Sequence, residues 1–155
     1  MYEIEICDYT NPAHLDALAG LLQEYMADPM GDHDPHSKLE QLRLVDGLAN
    51  HPSSVVFLLG DGEKYLAMAT CFVLFSTFNV RSFINIHDFI VTPTCREKGI
   101  GSTLMSFIKQ YAKDKKYCKV TLEVREDNLK AQGLYKKMGF NSCTPEMLYW
   151  NTKIE

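Results

Sequence analysis

The sequence predicts an α/β (α+β) domain in which helices pack on a sheet of mixed strand pairing. Three observations carry this reading. After one short strand, apolar residues recur at helical spacing as far as Asn50, and from Ser54 onward they recur at strand spacing. An apolar strand, Phe83 to Val91, then runs through a glycine turn straight into an amphipathic helix. The order that results, β-α-α-β-β-β-α-β-α-β, alternates elements as a layered α/β domain does.

In chain order, Tyr2 to Cys7 alternates, with Ile4 and Ile6 on one face. Asn11-Pro12 reads as an N-cap followed by proline at the first helical position. Leu15, Leu18, Leu22 and Tyr25 or Met26 supply the apolar stripe of a helix ending near Ala27. Asp28 to His36 is a polar loop, and Asp34-Pro35 reads as a second cap. Leu39, Leu42, Val45 and Leu48 or Ala49 form the expected buried stripe of the next helix, which stops before Pro52. Val55 to Leu59 is a strand, Gly60-Asp61-Gly62-Glu63 a hairpin turn, and Tyr65 to Phe75 a longer strand. Ser76 to Ser82 is a loop leading into Phe83 to Val91. Ile100, Leu104, Ile108 and Tyr111 or Ala112 mark a helix whose lysines, Lys109, Lys113 and Lys116, lie on other faces. Lys119 to Val124 is a strand, and Asn128 to Met138 a short helix closed by Gly139. Phe140 to Asn141 and Met147 to Lys153 are expected to close the chain as strands.

A chain of 155 residues is most simply one domain spanning 1–155. A formal net charge of −4 argues against a nucleic-acid partner, which would call for a basic surface. The cysteines, at 7, 71, 95, 118 and 143, are widely spaced and form no Cys-x-x-Cys, so neither a disulfide framework nor a zinc site is expected. A reducing, cytoplasmic setting fits them best. Met1-Tyr2-Glu3-Ile4-Glu5 lacks the basic and apolar regions of a signal peptide. The uncharged run Tyr65 to Val80 is too short and too β-branched for a membrane helix, so no membrane partner is expected. Asp32, His33, Asp34 and His36 are metal-ligating residue types crowded onto one loop, and no metal is expected there. A homodimer is expected from apolar strand residues near the C-terminus, Met147 to Trp150.

The glycine turn reads Val91-Thr92-Pro93-Thr94-Cys95-Arg96-Glu97-Lys98-Gly99-Ile100-Gly101-Ser102. A helix start leaves backbone N–H groups without intrahelical partners and carries partial positive charge, and glycine lets a ligand come close. The site therefore suits phosphate or another anion. It is not a Walker loop, because Gly-x-x-x-x-Gly-Lys-Ser/Thr is absent, and it is not the dinucleotide fingerprint, whose third glycine is replaced by Leu104. Its pattern, Arg96-x-x-Gly99-x-Gly101, resembles the acetyl-CoA diphosphate loop of the GNAT family of N-acetyltransferases. A second segment, Asn128-x-x-Ala131-x-x-x-Tyr135-x-x-x-Gly139-Phe140, resembles that family's segment on the helix after the fifth strand. The element order matches as well.

The resemblance implies the GNAT acyl-CoA N-acyltransferase fold, a central mixed, mostly antiparallel sheet flanked by about four helices. It also implies an enzyme moving an acetyl group from acetyl-CoA directly to a primary amine of a small molecule or protein; the alternative is a non-catalytic acyl-CoA-binding sensor or scaffold. By the same resemblance, Phe89, Ile90 and Val91 would hold the acetyl carbonyl and pantetheine. Arg96, Glu97, Lys98, Gly99, Ile100, Gly101 and Ser102 would grip the diphosphate, Asn128 would hydrogen-bond the pantetheine arm with Ala131 beside it, and Tyr135 would give a proton to the leaving thiolate. A base must take a proton from the acceptor ammonium. The candidates are His87, Asp88 and Glu123. Strand alternation puts His87 and Asp88 on opposite faces, so one of them is expected to reach the cleft; His87 and Glu123 are carried forward, with a water chain and no single essential base as the alternative. Tyr25, Asp28, Phe75 and Phe78 are expected at the acceptor site, with the acidic loop drawing in a cationic amine.

Overall fold

The computed structural model describes all 155 residues. β1 (Glu3–Ile6), β2 (Ser54–Gly60), β3 (Tyr65–Ser76), β4 (Arg81–Val91) and β5 (Val120–Leu122) form one sheet in the order β1-β2-β3-β4-β5. The first four strands pair antiparallel and β4 pairs parallel with β5. α1 (Pro12–Ala27) and α2 (Lys38–Asn50) cover one face, while α3 (Ile100–Asp114) and α4 (Leu129–Lys137) cover the other.

β2 shows why the strand signal is a continuous apolar run. Val55, Phe57 and Leu59 enter the core under α3, and Val56 and Leu58 enter the core under α1 and α2. Phe57 is fully buried, edge-on to Tyr111 with ring centroids 5.1 Å apart. On α3, Ile100, Leu104, Met105, Ile108 and Ala112 fill the same core, matching the expected stripe.

Several expectations change. α2 starts later than Asp34-Pro35 implies, because Ser37 and Glu40 close a capping box: Ser37 N donates to Glu40 Oε2 at 2.7 Å and Glu40 N to Ser37 Oγ at 3.3 Å. Its stripe is shorter, since only its second half reaches the sheet. Leu44, Val45 and Leu48 pack there, whereas Leu39 and Leu42 are exposed. The closing strands, Phe140 to Asn141 and Met147 to Lys153, do not form. A strand needs a partner edge for its backbone groups, and β5 offers only three residues of edge. Met147, Leu148 and Trp150 therefore stand exposed on irregular chain.

The most consequential feature is a bulge in β4. Thr70 pairs with Asp88 and Cys71 with Ile86, which leaves His87 as an extra residue. A bulge turns two successive side chains toward one face. Ile84 and Ile86 before it, and Phe89 and Val91 after it, all pack with the α3 core. His87 packs its ring against Phe72, 5.6 Å away, on the α1 side, and Ile90 enters the core beneath α1 and α2. The expectation that His87 and Asp88 face opposite sides is thus overturned: both face α1.

Candidate active site

The β4–β5 pairing ends at Ile86↔Leu122. Beyond it the strands part, and a cleft of about 1020 Å³ opens between His87 and Phe89 to Val91 on one wall and Leu122–Arg125 on the other. β5 stops here while β4 bends at the bulge, so the edge of Phe89, Ile90 and Val91 away from β3 has no strand beside it.

At the mouth of this split stands the start of α3. No backbone N–H from Glu97 to Ser102 has an acceptor, and intrahelical bonding begins with Thr103 N to Gly99 O at 3.0 Å. The loop holds this array by two backbone turns into the left-handed region, at Glu97 (φ 62°) and Gly99 (φ 81°). Gly101 serves a different need. A Cβ there would lie 3.1 Å from Leu134 Cδ2 and 3.6 Å from Phe89 Cε1, so its bare backbone lets α3 seat against β4 and α4. An array of donors at a helix start is a cradle for an anion with several oxygens, such as a diphosphate.

Arg96 flanks the array. Its Nε donates to Val91 O at 3.0 Å and its Nη2 lies 2.8 Å from Asp28 Oδ2. Asp28 also accepts the Met30 N–H at 2.9 Å. The Met30 hydrogen bond, and Arg96 against the opposing effect of burial, hold its carboxyl below the usual carboxylate range. Asp28 borders the cleft, as expected of it, with one oxygen held by the Met30 N–H and the other by Arg96.

Tyr135 lies on the floor, buried, edge-on to Phe89 at 6.2 Å and 6.0 Å from Phe140. Burial, reinforced by Tyr25, pushes its phenol up to about 12, so it keeps its proton over the physiological range. Tyr25 faces it from the end of α1. Burial and then the charge of Asp88 raise the Tyr25 phenol in turn. Asp88 is raised above the usual carboxylate range by burial, with His87 and Thr70 pulling the other way. Tyr25, His87 and Asp88 thus form one cluster on the α1 side, with the His87 ring on the cleft wall.

Among the other expected site residues, Glu97, Ser102, Glu123 and Ala131 border the cleft. Asn128 does so too, with its side chain capping α4 by accepting the Ala131 N–H at 3.2 Å. Lys98 turns away to donate to Thr94 O at 3.0 Å, and the Ile100 side chain is buried under α3. Phe75 and Phe78 are corrections. They sit at the β3–β4 hairpin, where Phe75 pairs with Ser82 and Phe78 is 98% exposed. At about 3.3 Å per residue, the four-residue separation of Ser82 from Ile86 puts Phe75 about 13 Å from the near wall of the cleft, and neither phenylalanine borders it. Sequence reasoning missed Met30, Arg125, Leu134 and Tyr149, which border the cleft. It also dropped Asp88, which a recognised bulge would have kept.

A sheet split between a parallel strand pair, with an anion cradle at the next helix start, is the architecture of GNAT acyltransferases. The sequence model of the acetyltransferase (GNAT) family matches residues 15–140, and the chain belongs to that family. It is 30% identical over 97 residues to an uncharacterized N-acetyltransferase, YhfO, of Bacillus subtilis (strain 168), covering 63% of this chain and 64% of that one. It is 36% identical over 84 residues to the streptothricin acetyltransferase of Streptomyces lavendulae, covering 54% of this chain and 43% of that one. The chain thus matches less than two thirds of the length of either relative. Among solved structures, the aminoglycoside acetyltransferase meta-AAC0020 from an uncultured soil metagenomic sample, in complex with sisomicin, shares the fold with a TM-score of 0.83 at 17% identity. That alignment covers 99% of this chain and 97% of that one. A probable acetyltransferase superposes with a TM-score of 0.83 at 21% identity, covering 99% of both chains. Acetyl-CoA is the co-substrate this family implies, and the unpartnered N–H array and the open β4 edge fit its diphosphate and its amide-bearing arm.

Proposed function

We propose that this chain is an acetyl-CoA-dependent N-acetyltransferase that acts directly on a primary amine, and that its acceptor is a cationic small molecule. The observation that carries the reading is the unpartnered N–H row from Glu97 to Ser102, standing at the mouth of a cleft whose floor is the protonated phenol of Tyr135.

Acetyl-CoA supplies an acetyl group activated as a thioester. The N–H row and Arg96 bind the diphosphate, and the open edge of Phe89 to Val91 aligns the pantetheine arm and offers N–H groups to the thioester carbonyl. Fixing donor and acceptor in one cleft removes much of the entropic barrier of a two-substrate reaction. His87, on the cleft wall, takes a proton from the acceptor ammonium, and the neighbouring charge of Asp88 favours that transfer. Tyr135 donates its proton to the departing thiolate. Glu123 borders the cleft without an ion-pair partner and favours a cation there, whereas Asp127 is engaged bidentate by Arg125. Relatives named for streptothricin and aminoglycosides support a small-molecule acceptor.

The test is acetyl-CoA titration followed by thiol release across a panel of polyamines, aminoglycosides, amino acids and peptides. Saturable binding with turnover on a cationic small molecule is expected. Binding with no turnover on any amine would favour a non-catalytic acyl-CoA-binding domain, and no binding at all would remove both readings.

A further inference from the structure

We propose that Asp28 is a positioning residue for the diphosphate grip: it ties the end of α1 to Arg96 and so fixes the guanidinium for acetyl-CoA. The inference rests on the acetyl-CoA reading above and goes beyond it, because Asp28 lies outside the glycine loop and touches no part of the N–H row.

The tie has two points, one helical turn apart. Glu24 Oε2 accepts the Thr92 hydroxyl at 2.9 Å, and Asp28 Oδ2 meets Arg96 Nη2 at 2.8 Å. Glu24 and Asp28 lie on one face of the α1 end, and Thr92 and Arg96 flank the Pro93–Cys95 turn that links β4 to α3. The acidic face of α1 thus clamps the connection that carries the glycine loop.

Asp28 is itself held. Its Oδ1 accepts the Met30 N–H at 2.9 Å, and its carbonyl accepts Gly31 N at 2.9 Å and Asp32 N at 3.0 Å. Gly31 lies so tightly over the last turn of α1 that a Cβ would collide with the Tyr25 carbonyl. The Asp28 side chain is 11% exposed and that of Arg96 is 40% exposed. A mostly covered, twice-bonded carboxylate is therefore the fixed partner, and a half-exposed guanidinium is the group it orients. Val91 O takes the Nε, so the remaining Arg96 donors form a preset fork beside the N–H row. An arginine already immobilised loses less side-chain freedom when an anion arrives.

The test compares two acyl donors. Acetyl-CoA carries the diphosphate, whereas S-acetylpantetheine carries the same thioester and arm without it. Asp28→Asn is nearly isosteric and keeps an oxygen for the Met30 N–H. It is expected to raise the Kd of acetyl-CoA about three- to tenfold, and to lower kcat/KM with acetyl-CoA by that much more than with S-acetylpantetheine. In an Arg96→Ala background the same substitution should add less than twofold to the loss. Equal losses on both donors would make Asp28 a merely structural residue and overturn the proposal. So would tighter acetyl-CoA binding, or a full further loss in the Arg96→Ala background. The wild-type titration is read first: without acetyl-CoA binding there, the functional reading falls and this one with it. With binding present and no difference between donors, only this one falls.

Discussion

Replacing Tyr135 by phenylalanine removes one hydroxyl from the cleft floor and little else. The ring keeps its edge-on contact with Phe89 and its neighbour Phe140, so the cleft should keep its shape. With the phenol pushed up to about 12, roughly one molecule in ten thousand is ionised at pH 8, and the wild-type enzyme holds the proton ready. General acid catalysis contributes about 10²- to 10⁴-fold, so kcat for Tyr135→Phe should fall by two orders of magnitude or more. The Kd of acetyl-CoA should stay within about threefold, since the N–H row and Arg96 that grip the diphosphate are unchanged. Steady-state thiol release gives the first quantity and calorimetry the second. A leaving-group series sharpens the test. An aryl thioacetate releases a thiolate that needs no proton, so the ratio of wild-type to variant rates should shrink towards one. A ratio equally large for both donors, or an unchanged rate with acetyl-CoA, would refute the acid role.

Three further substitutions have defined outcomes. Asp88→Asn should lower kcat/KM about tenfold or more, since Asp88 adjoins the proton acceptor His87; an unchanged kcat/KM would dissociate the two. The same change should stabilise the fold. Because Asp88 titrates higher folded than unfolded, stability is lost as pH rises from the ordinary carboxylate value through the raised one, so the gain in Tm over wild type should be larger at pH 8 than at pH 4. Gly101→Val would push methyl groups into Leu134, Phe89 and Val91, an overpacking of about 1–3 kcal/mol, and its Tm should fall by about 2–4 °C for each of those. A variant melting like wild type would show slack where a Cβ already comes within 3.1 Å. Phe78→Ser, at the exposed hairpin tip, should leave the acceptor KM within twofold, whereas a larger rise would return the hairpin to the acceptor site.

What the sequence discloses here is whatever a residue type enforces locally. Gly99 is legible because its φ of 81° suits glycine, and Gly101 because a side chain there meets Leu134. Asn128 and Tyr135 are legible through the segment they share, whereas the capping of α4 by Asn128 is seen only in the structure. The rest depends on partners distant in the chain. Met147 to Lys153 has strand composition and no edge to join. Leu39 and Leu42 have helical spacing and no sheet beneath them. The Asp28 to His36 segment reads as a mobile polar loop, yet Asp28 and Gly31 fold its first turn tightly on α1, and Gln23 brackets His36 by accepting its N–H at 3.0 Å and donating to its carbonyl at 3.3 Å. His87 carries no sign of a bulge in its residue type, because the bulge arises from where β3 pairs.

That bulge joins fold to chemistry, and deleting His87 separates the two. Without it, Ile86 and Asp88 would become consecutive, opposite Cys71 and Thr70, as their pairing already has them. Ile84, Ile86, Phe89 and Val91 would still face the α3 core, and Ile90 the α1 core, so no side chain changes face. The variant should fold, with a Tm within a few degrees of wild type. What it loses is the bend, and a straight β4 would continue beside the chain that follows β5 and close the split where the pantetheine arm lies. Acetyl-CoA binding should therefore fall at least tenfold in the deletion. His87→Ala, which retains the extra residue, should keep binding and lose turnover. A deletion variant that binds acetyl-CoA as wild type does would show that the cleft opens without the bulge, and that β5 ends at Leu122 for a reason of its own.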